Sequence, residues 1–238
     1  MTYRKHASLV ALAAALALPI ASSANNLDFN YVELDYIDVD AGFSSSTTLE
    51  DGTELRERTR SDGGYRLGAA WQFYDNFHVF ADYSSADQDF QVNFGDTIEA
   101  GESFDVERLR IGVGYALPWS DIGSVYGRLS YDRTEFTGRL VTTADGQAIP
   151  AAPVPSRDDD GLGIEIGALW DVTPALQLQG QVRYSAVGEV NASKDDAFDD
   201  DYLFGVTARW FFTPRFALQA GYETGEIDTW NVGARLKF

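Results

Sequence analysis

The feature that most limits what this chain can become is the period of its apolar residues. Almost everywhere apolar and polar side chains alternate one by one, the period of a β-strand. The run "GGYRLGAAWQF" places Tyr65, Leu67, Ala69, Trp71 and Phe73 on one face, with Arg66, Gly68, Ala70 and Gln72 on the other. After Tyr74-Asp75-Asn76, "FHVFADYS" sets Phe77, Val79, Ala81 and Tyr83 against His78, Phe80, Asp82 and Ser84. The two runs predict a hairpin over a tight Asp-Asn turn. The unit recurs. "ERLRIGVGYAL" and "SVYGRLSYD" flank 118–123, "GLGIEIGALW" and "ALQLQGQVRYS" flank 171–174, and "YLFGVTARWFF" and "FALQAGYE" flank 213–215. With the opening "LDFNYVELDYIDV" and the closing "TWNVGARLKF", ten strands are predicted.

The connections alternate in length. Those at 74–76, 118–123, 171–174 and 213–215 are short. Those at about 41–62, 85–104, 134–159 and 187–200 are long and rich in Asp, Glu, Ser, Thr and Gly. Only 223–228 breaks the pattern by being short. Short turns at one end and long loops at the other predict an all-β fold, an up-and-down antiparallel transmembrane β-barrel. Eight or twelve strands stay open, because 41–62 has room for strand extensions. The stretch "DGQAIPAAPVPSRDDD" (145–160) reads as a Pro-rich loop tip, not as a linker between domains, since the hairpin pattern resumes beyond it.

Residues 1–24 read as a secretory signal peptide, leaving one barrel domain over 25–238. Arg4 and Lys5 give a basic start, Ala7–Ile20 an apolar middle, and Ser22 and Ala24 the small residues of a cleavage site. The apolar run is shorter than the ~20 residues of a spanning helix. Without Arg4 and Lys5 the chain carries 16 basic residues against 37 acidic ones, a formal −21. That balance excludes nucleic acid as a partner, because phosphate binding needs a basic face. There is no cysteine, so an exported chain of this kind draws its stability from the fold itself. Nothing in the chain calls for a cofactor.

Alternation alone does not say which face is inside. A soluble lipocalin-like barrel buries its apolar face, whereas a membrane barrel turns it to lipid. The aromatic residues decide. Tyr36, Tyr65, Tyr83, Tyr131, Tyr184, Tyr202, Tyr222 and Trp230 mark one end of the apolar face, and Trp71, Phe77, Tyr115, Trp170, Trp210, Phe216 and Phe238 the other. Rings that are part apolar and part polar favour the two membrane interfaces. The polar face then lines the lumen with six acids (Glu33, Asp35, Asp82, Asp132, Glu165, Glu223) and eight bases (Arg66, Arg108, Arg110, Arg128, Arg183, Arg209, Arg235, Lys237). The small residues Gly68, Ala70, Gly112, Gly114, Gly163, Gly167, Gly205, Gly221 and Gly233 share that face, as a narrow lumen filled by long side chains requires. Ten tilted strands enclose a backbone radius of about 10 Å. In that space paired charges are expected, because unpaired ones are costly.

The last strand puts Trp230, Val232, Ala234, Leu236 and Phe238 on one face and ends on an aromatic residue. In Trp230, Val232, Leu236 and Phe238 it resembles the signal by which outer-membrane barrels are recognised, which implies the barrel-assembly machinery as a partner. Together with "FNYVELDY", "LGAAWQFYDNFHVFADYS" and "ERLRIGVGYAL", the chain over 25–238 resembles the small single-chain outer-membrane β-barrels described as "porin family" or "outer membrane β-barrel domain". The resemblance implies a bacterial outer-membrane location and contact with its lipids and lipopolysaccharide. Such proteins include adhesins, stress-related proteins and narrow channels. The barrel is expected to be monomeric.

Two functions are open: an envelope-structural, adhesive or interaction role through long acidic extracellular loops, and a narrow porin-like channel that prefers cations because its mouth is acidic. An enzyme is not expected. Outer-membrane enzymes of related type place a histidine near the outer rim, whereas His78 follows a short turn and faces inward. Asp87 and Asp89 have no nucleophile or base at a recognisable spacing. Asp195, Asp196, Asp199, Asp200 and Asp201 offer oxygen ligands for Ca²⁺ or Mg²⁺, at a spacing that is not an EF-hand. Such ions would also bridge the loops to lipopolysaccharide. The bland reading of these acids is that they solvate the loops.

Overall fold

The structure is a computed structural model of the chain and describes residues 29–40, 44–48, 54–94, 97–144, 147–148, 157–187, 202–225 and 228–238. Twelve strands follow one another: β1 (Tyr31–Asp40), β2 (Ser44–Thr48), β3 (Glu54–Tyr74), β4 (Phe77–Phe94), β5 (Thr97–Ser120), β6 (Gly123–Ala144), β7 (Gln147–Ala148), β8 (Arg157–Thr173), β9 (Leu176–Ser185), β10 (Tyr202–Phe211), β11 (Phe216–Thr224) and β12 (Asp228–Lys237). All but β2 and β7 form a ten-stranded wall. Its antiparallel order is β1-β12-β11-β10-β9-β8-β6-β5-β4-β3, and β1 pairs β3 to close the ring. Closure removes the free edges an open sheet would present. Among the described residues no helix is long and apolar enough to cross a membrane, which says nothing of strands.

The short turns fall at one end, at Asp75-Asn76, 121–122, 174–175 and 212–215. Two of them use the same device. Thr173 Oγ1 accepts from the amides of Ala175 (3.2 Å) and Leu176 (3.0 Å), and Thr213 Oγ1 from those of Arg215 (3.3 Å) and Phe216 (3.0 Å). A hydroxyl that takes amides two and three residues on fixes a tight reversal. The start of β1 and the end of β12 meet at this end as well, where the Phe238 amide donates to Asn30 O at 3.2 Å.

The other end corrects the expected loops. Most of 41–62, 85–104 and 134–159 is strand: β3 runs for 21 residues, β4 for 18, β5 for 24, β6 for 22 and β8 for 17. β1 and β9 to β12 have only 9 or 10. About 9–11 tilted residues cross a bilayer, so one side of the barrel stands well beyond the rest. Phe90, Val92 and Phe94 still alternate with Gln91 and Asn93 there, but the many Asp, Glu, Ser, Thr and Gly residues around them made the stretch look like loop. The ladder continues nonetheless, for example Arg58↔Gln91 and Gln91↔Gly101. A bulge between Ser61 and Gly63 marks where β3 leaves the ring. Gly63 has φ +80°, and Tyr36 Cζ lies 2.7 Å from where its Cβ would stand, so glycine alone fits. Ser61 Oγ accepts from the amides of Gly63 (3.1 Å) and Val39 (3.2 Å), tying the bulge to β1. The signal peptide expected at 1–24 and the aspartates 195–201 lie outside the described residues.

Candidate functional site: the barrel lumen

Strand parity sends alternate side chains into the ring. The inward residues are buried although many are charged, and the outward ones are exposed although most are apolar. All fourteen charged residues expected in the lumen face it. Their contacts follow from register and closure.

The lowest layer, nearest the short turns, is aromatic. Phe29, Tyr31, Phe80, Tyr126 and Leu169 form a buried cluster with Ala70 and Ala116. Phe29 stacks on the His78 ring, centroids 4.0 Å apart, and meets Tyr126 edge-on at 5.4 Å. Arg128 reaches from β6 across this layer. Its guanidinium donates to Tyr31 Oη (3.1 Å), His78 Nε2 (3.2 Å) and Glu165 Oε1 (3.3 Å), and lies 4.5 Å from the centroid of Phe80. Tyr31 is four strands from Arg128 round the shorter way, so this contact spans the bore. Small residues make the room. A Cβ on Gly114 would collide with His78 and Arg128, and one on Gly112 would stand 2.8 Å from the Phe80 ring.

Gly112→Ala is therefore expected to lower stability by about 1–3 kcal/mol through overpacking. Gly180→Ala, on the outer face with nothing within 4 Å of the new Cβ, is expected to be near neutral. Urea midpoints of the refolded variants check the contrast.

Two linked charge clusters lie above and beside the aromatic layer. In the first, Arg235 donates to Glu33 Oε2 through Nη2 (2.6 Å) and Nε (3.0 Å), with Tyr31 stacked 3.6 Å from the guanidinium. Arg66 grips Asp35 Oδ2 through Nη2 (2.7 Å) and Nε (3.0 Å). Gln219 Nε2 donates to both Asp35 (2.6 Å) and Glu33 (3.2 Å), while its Oε1 accepts from Arg209 Nε at 2.9 Å. In the second, Arg110 donates to Glu165 (3.0 Å) and lies 3.5 Å from Asp132 and 3.7 Å from Asp82. Glu223 joins the two, 3.8 Å from Arg66 and 3.7 Å from Arg183.

All six acids thus have a basic partner within 4 Å, whereas Arg209 has no carboxylate within 4 Å among the described residues. Arg209 donates to the glutamines Gln219 and Gln177 (3.4 Å), and the Gln219 amide, which donates to Glu33 and Asp35, links it to those acids. Lys237 sits 5.8 Å from the Phe211 ring centroid. The glutamines, and Phe29, Tyr31 and Tyr126, carry more of the lumen than the sequence reading assigned them. Parity alone placed them inside, but only register says which groups meet.

The outer face carries Leu34, Val79, Ile111, Val113, Leu129, Ile164, Ile166, Val206 and Val232, all more than a third exposed. Rings bound this band above and below. At one end Tyr36↔Tyr65, Tyr184↔Tyr202 and Tyr222↔Trp230 are cross-strand partners. At the other, Phe77 meets Tyr115 at 4.7 Å, and Trp71, Trp119, Trp170, Trp210 and Phe216 are exposed. An apolar belt between aromatic girdles on a closed barrel is a lipid-facing surface. Trp230, Val232 and Leu236 point outward in it, while Phe238 follows the end of β12 and is half-buried.

A family model for the outer membrane protein beta-barrel domain matches residues 8–209. The chain belongs to this family. It is a barrel of the bacterial outer membrane, with its short turns on the periplasmic side and its long strands on the extracellular side. No curated protein matches it. Solved structures similar to this barrel include the translocator domain of autotransporter NalP from Neisseria meningitidis, at 13% identity over 98% of this chain and 95% of that one, TM-score 0.46. OprG from Pseudomonas aeruginosa matches at 14% identity over 91% and 99%, TM-score 0.46. Ail, the attachment invasion locus protein of Yersinia pestis, matches at 13% over 89% and 100%, TM-score 0.37.

Proposed function

We propose that this barrel is a non-enzymatic envelope protein whose lumen is closed and whose work is done outside the membrane, in a structural, adhesive or interaction role. The observation that carries the reading is the filling of the periplasmic half of the bore by Arg128, Phe29, Tyr31, Phe80 and Tyr126. Strands β3 to β6 carry the acidic extracellular segments well beyond the lipid. His78 is fully buried at the periplasmic end against Phe29 and Arg128, which suits a structural histidine. The second reading, a narrow cation-preferring channel, draws on the partial exposure of the charged residues in the extracellular half. Single-channel recording of the refolded protein in planar bilayers separates the two. The closed reading expects no discrete steps from protein that migrates as folded on heat-modifiable gels. Steady, uniform steps would sink it.

The same reading takes 1–24 as the export signal and the outward face of β12, with Phe238, as the feature read by the assembly machinery. It takes lipopolysaccharide as the surface met by the outer loops, and divalent cations at Asp195, Asp196, Asp199, Asp200 and Asp201 as a bridge to it. Isothermal titration with Ca²⁺ that gives no heat would remove that bridge.

A further inference from the structure

The extracellular half of the lumen gathers more cation than its carboxylates hydrogen-bond. Arg108 and Arg110 enter it from β5 and Arg183 from β9. Arg110 is anchored on Glu165 at 3.0 Å, and its buried Nε, 3.5 Å from Asp132 Oδ1, makes no hydrogen bond among the described residues. Arg183 is 9% exposed, and its Nε is likewise buried without a partner. Its nearest carboxylate, Glu223, is 3.7 Å away, is shared with Arg66, and already accepts from Gln181 at 2.9 Å. Arg108 has no carboxylate within 4 Å among the described residues, and it lies in the field of both Arg183, a like charge, and the carboxylate Glu223. The contrast with Arg66, held at 2.7 and 3.0 Å on Asp35, is plain.

Guanidinium donors left unmet in a confined space are costly. An oxyanion with several acceptors fits the guanidinium fork and offsets that cost. Water reaches this half of the bore from outside. Side-chain exposure rises from 1% at Glu165 and 7% at Arg128 to 14% at Arg110, 17% at Glu223 and 22% at Arg66.

We propose that Arg108, Arg110 and Arg183 form a binding site for a small dianionic oxyanion of the phosphate or sulfate class, entered from the extracellular mouth. The site does not depend on whether the floor conducts, and binding measured in micelles does not read conductance, so the two ideas fail separately.

The test is isothermal titration of the protein, refolded in detergent micelles at low salt, with inorganic phosphate and with sulfate. One saturable site is expected, together with a rise in the urea midpoint. Arg108→Gln and Arg183→Gln should each weaken binding at least about tenfold. Arg133→Gln should not, because Arg133 lies on the outer face paired with Asp158 at 2.9 Å. Without anion, Arg108→Gln should be at least as stable as the parent, since it removes a cation without a bonded acid. That reading remains decisive even if Arg183→Gln does not fold. No saturable heat, unchanged affinity in Arg108→Gln, or a loss of stability in that variant without anion would each overturn the site.

Discussion

Replacing Arg128 with alanine is expected to open the barrel and weaken it in one step. The guanidinium spans the bore between Glu165 on β8, His78 on β4 and Tyr31 on β1, and is packed against Phe80. Alanine removes the bolt and leaves Glu165, 1% exposed, with Arg110 as its only basic partner within 4 Å among the described residues. Breaking a buried pair by deleting one member costs about 3–5 kcal/mol. A second partner on Glu165 sets this case near the lower figure. The parent is expected to be silent in bilayers, and Arg128→Ala to show discrete steps. Arg128→Met separates the two effects: it restores much of the volume without the charge, so it should remain silent and still be destabilised. An Arg128→Ala barrel that stays silent and unfolds at the parent's urea concentration would show that Arg128 neither seals nor holds the lumen.

The second large effect is expected at Arg235. Arg235→Leu leaves the Glu33 carboxylate, 7% exposed in its side chain, beside Asp35 with Gln219 bridging the two acids. A loss of about 3–5 kcal/mol follows. Adding Glu33→Gln should recover at least half of it, because the stranded charge, more than the lost attraction, is what destabilises. Urea midpoints for the two single variants and the double variant close the cycle. If the double variant is as unstable as the sum of the singles, the two residues are energetically independent and the charge argument fails.

The sequence made the wall legible because lipid and lumen impose opposite demands on neighbouring residues. Leu67 and Arg66 must face opposite ways, and ten such runs define ten strands. The charged lumen was legible for the same reason. Among polar, Gly-rich neighbours the signal is easily passed over, and Phe90–Phe94 read as loop although it alternates and its backbone is laddered to β3 and to β5. Contacts within the lumen were less legible still. Arg128 meets Tyr31 only because β1 closes on β3 in one register. Arg209 was expected to find an acid, but finds Gln219 and Gln177. A glutamine at an inward position looks like filler until its neighbours two strands away are known.

The unequal strand lengths have a mechanical consequence. β3 to β6 form a continuous sheet that outreaches β9 to β12 by roughly ten residues, about 30 Å measured along the strands. A load applied at the tip and directed along the strands is shared by many ladder bonds in parallel, such as those joining β5 to β6 from Ala100↔Thr142 to Ser120↔Gly123. Bonds loaded in shear must fail together, whereas bonds peeled from one end fail in turn. The mast is therefore stiff against tension from outside the cell, and its foot is clamped in a closed ring whose own pairing the tension does not unzip.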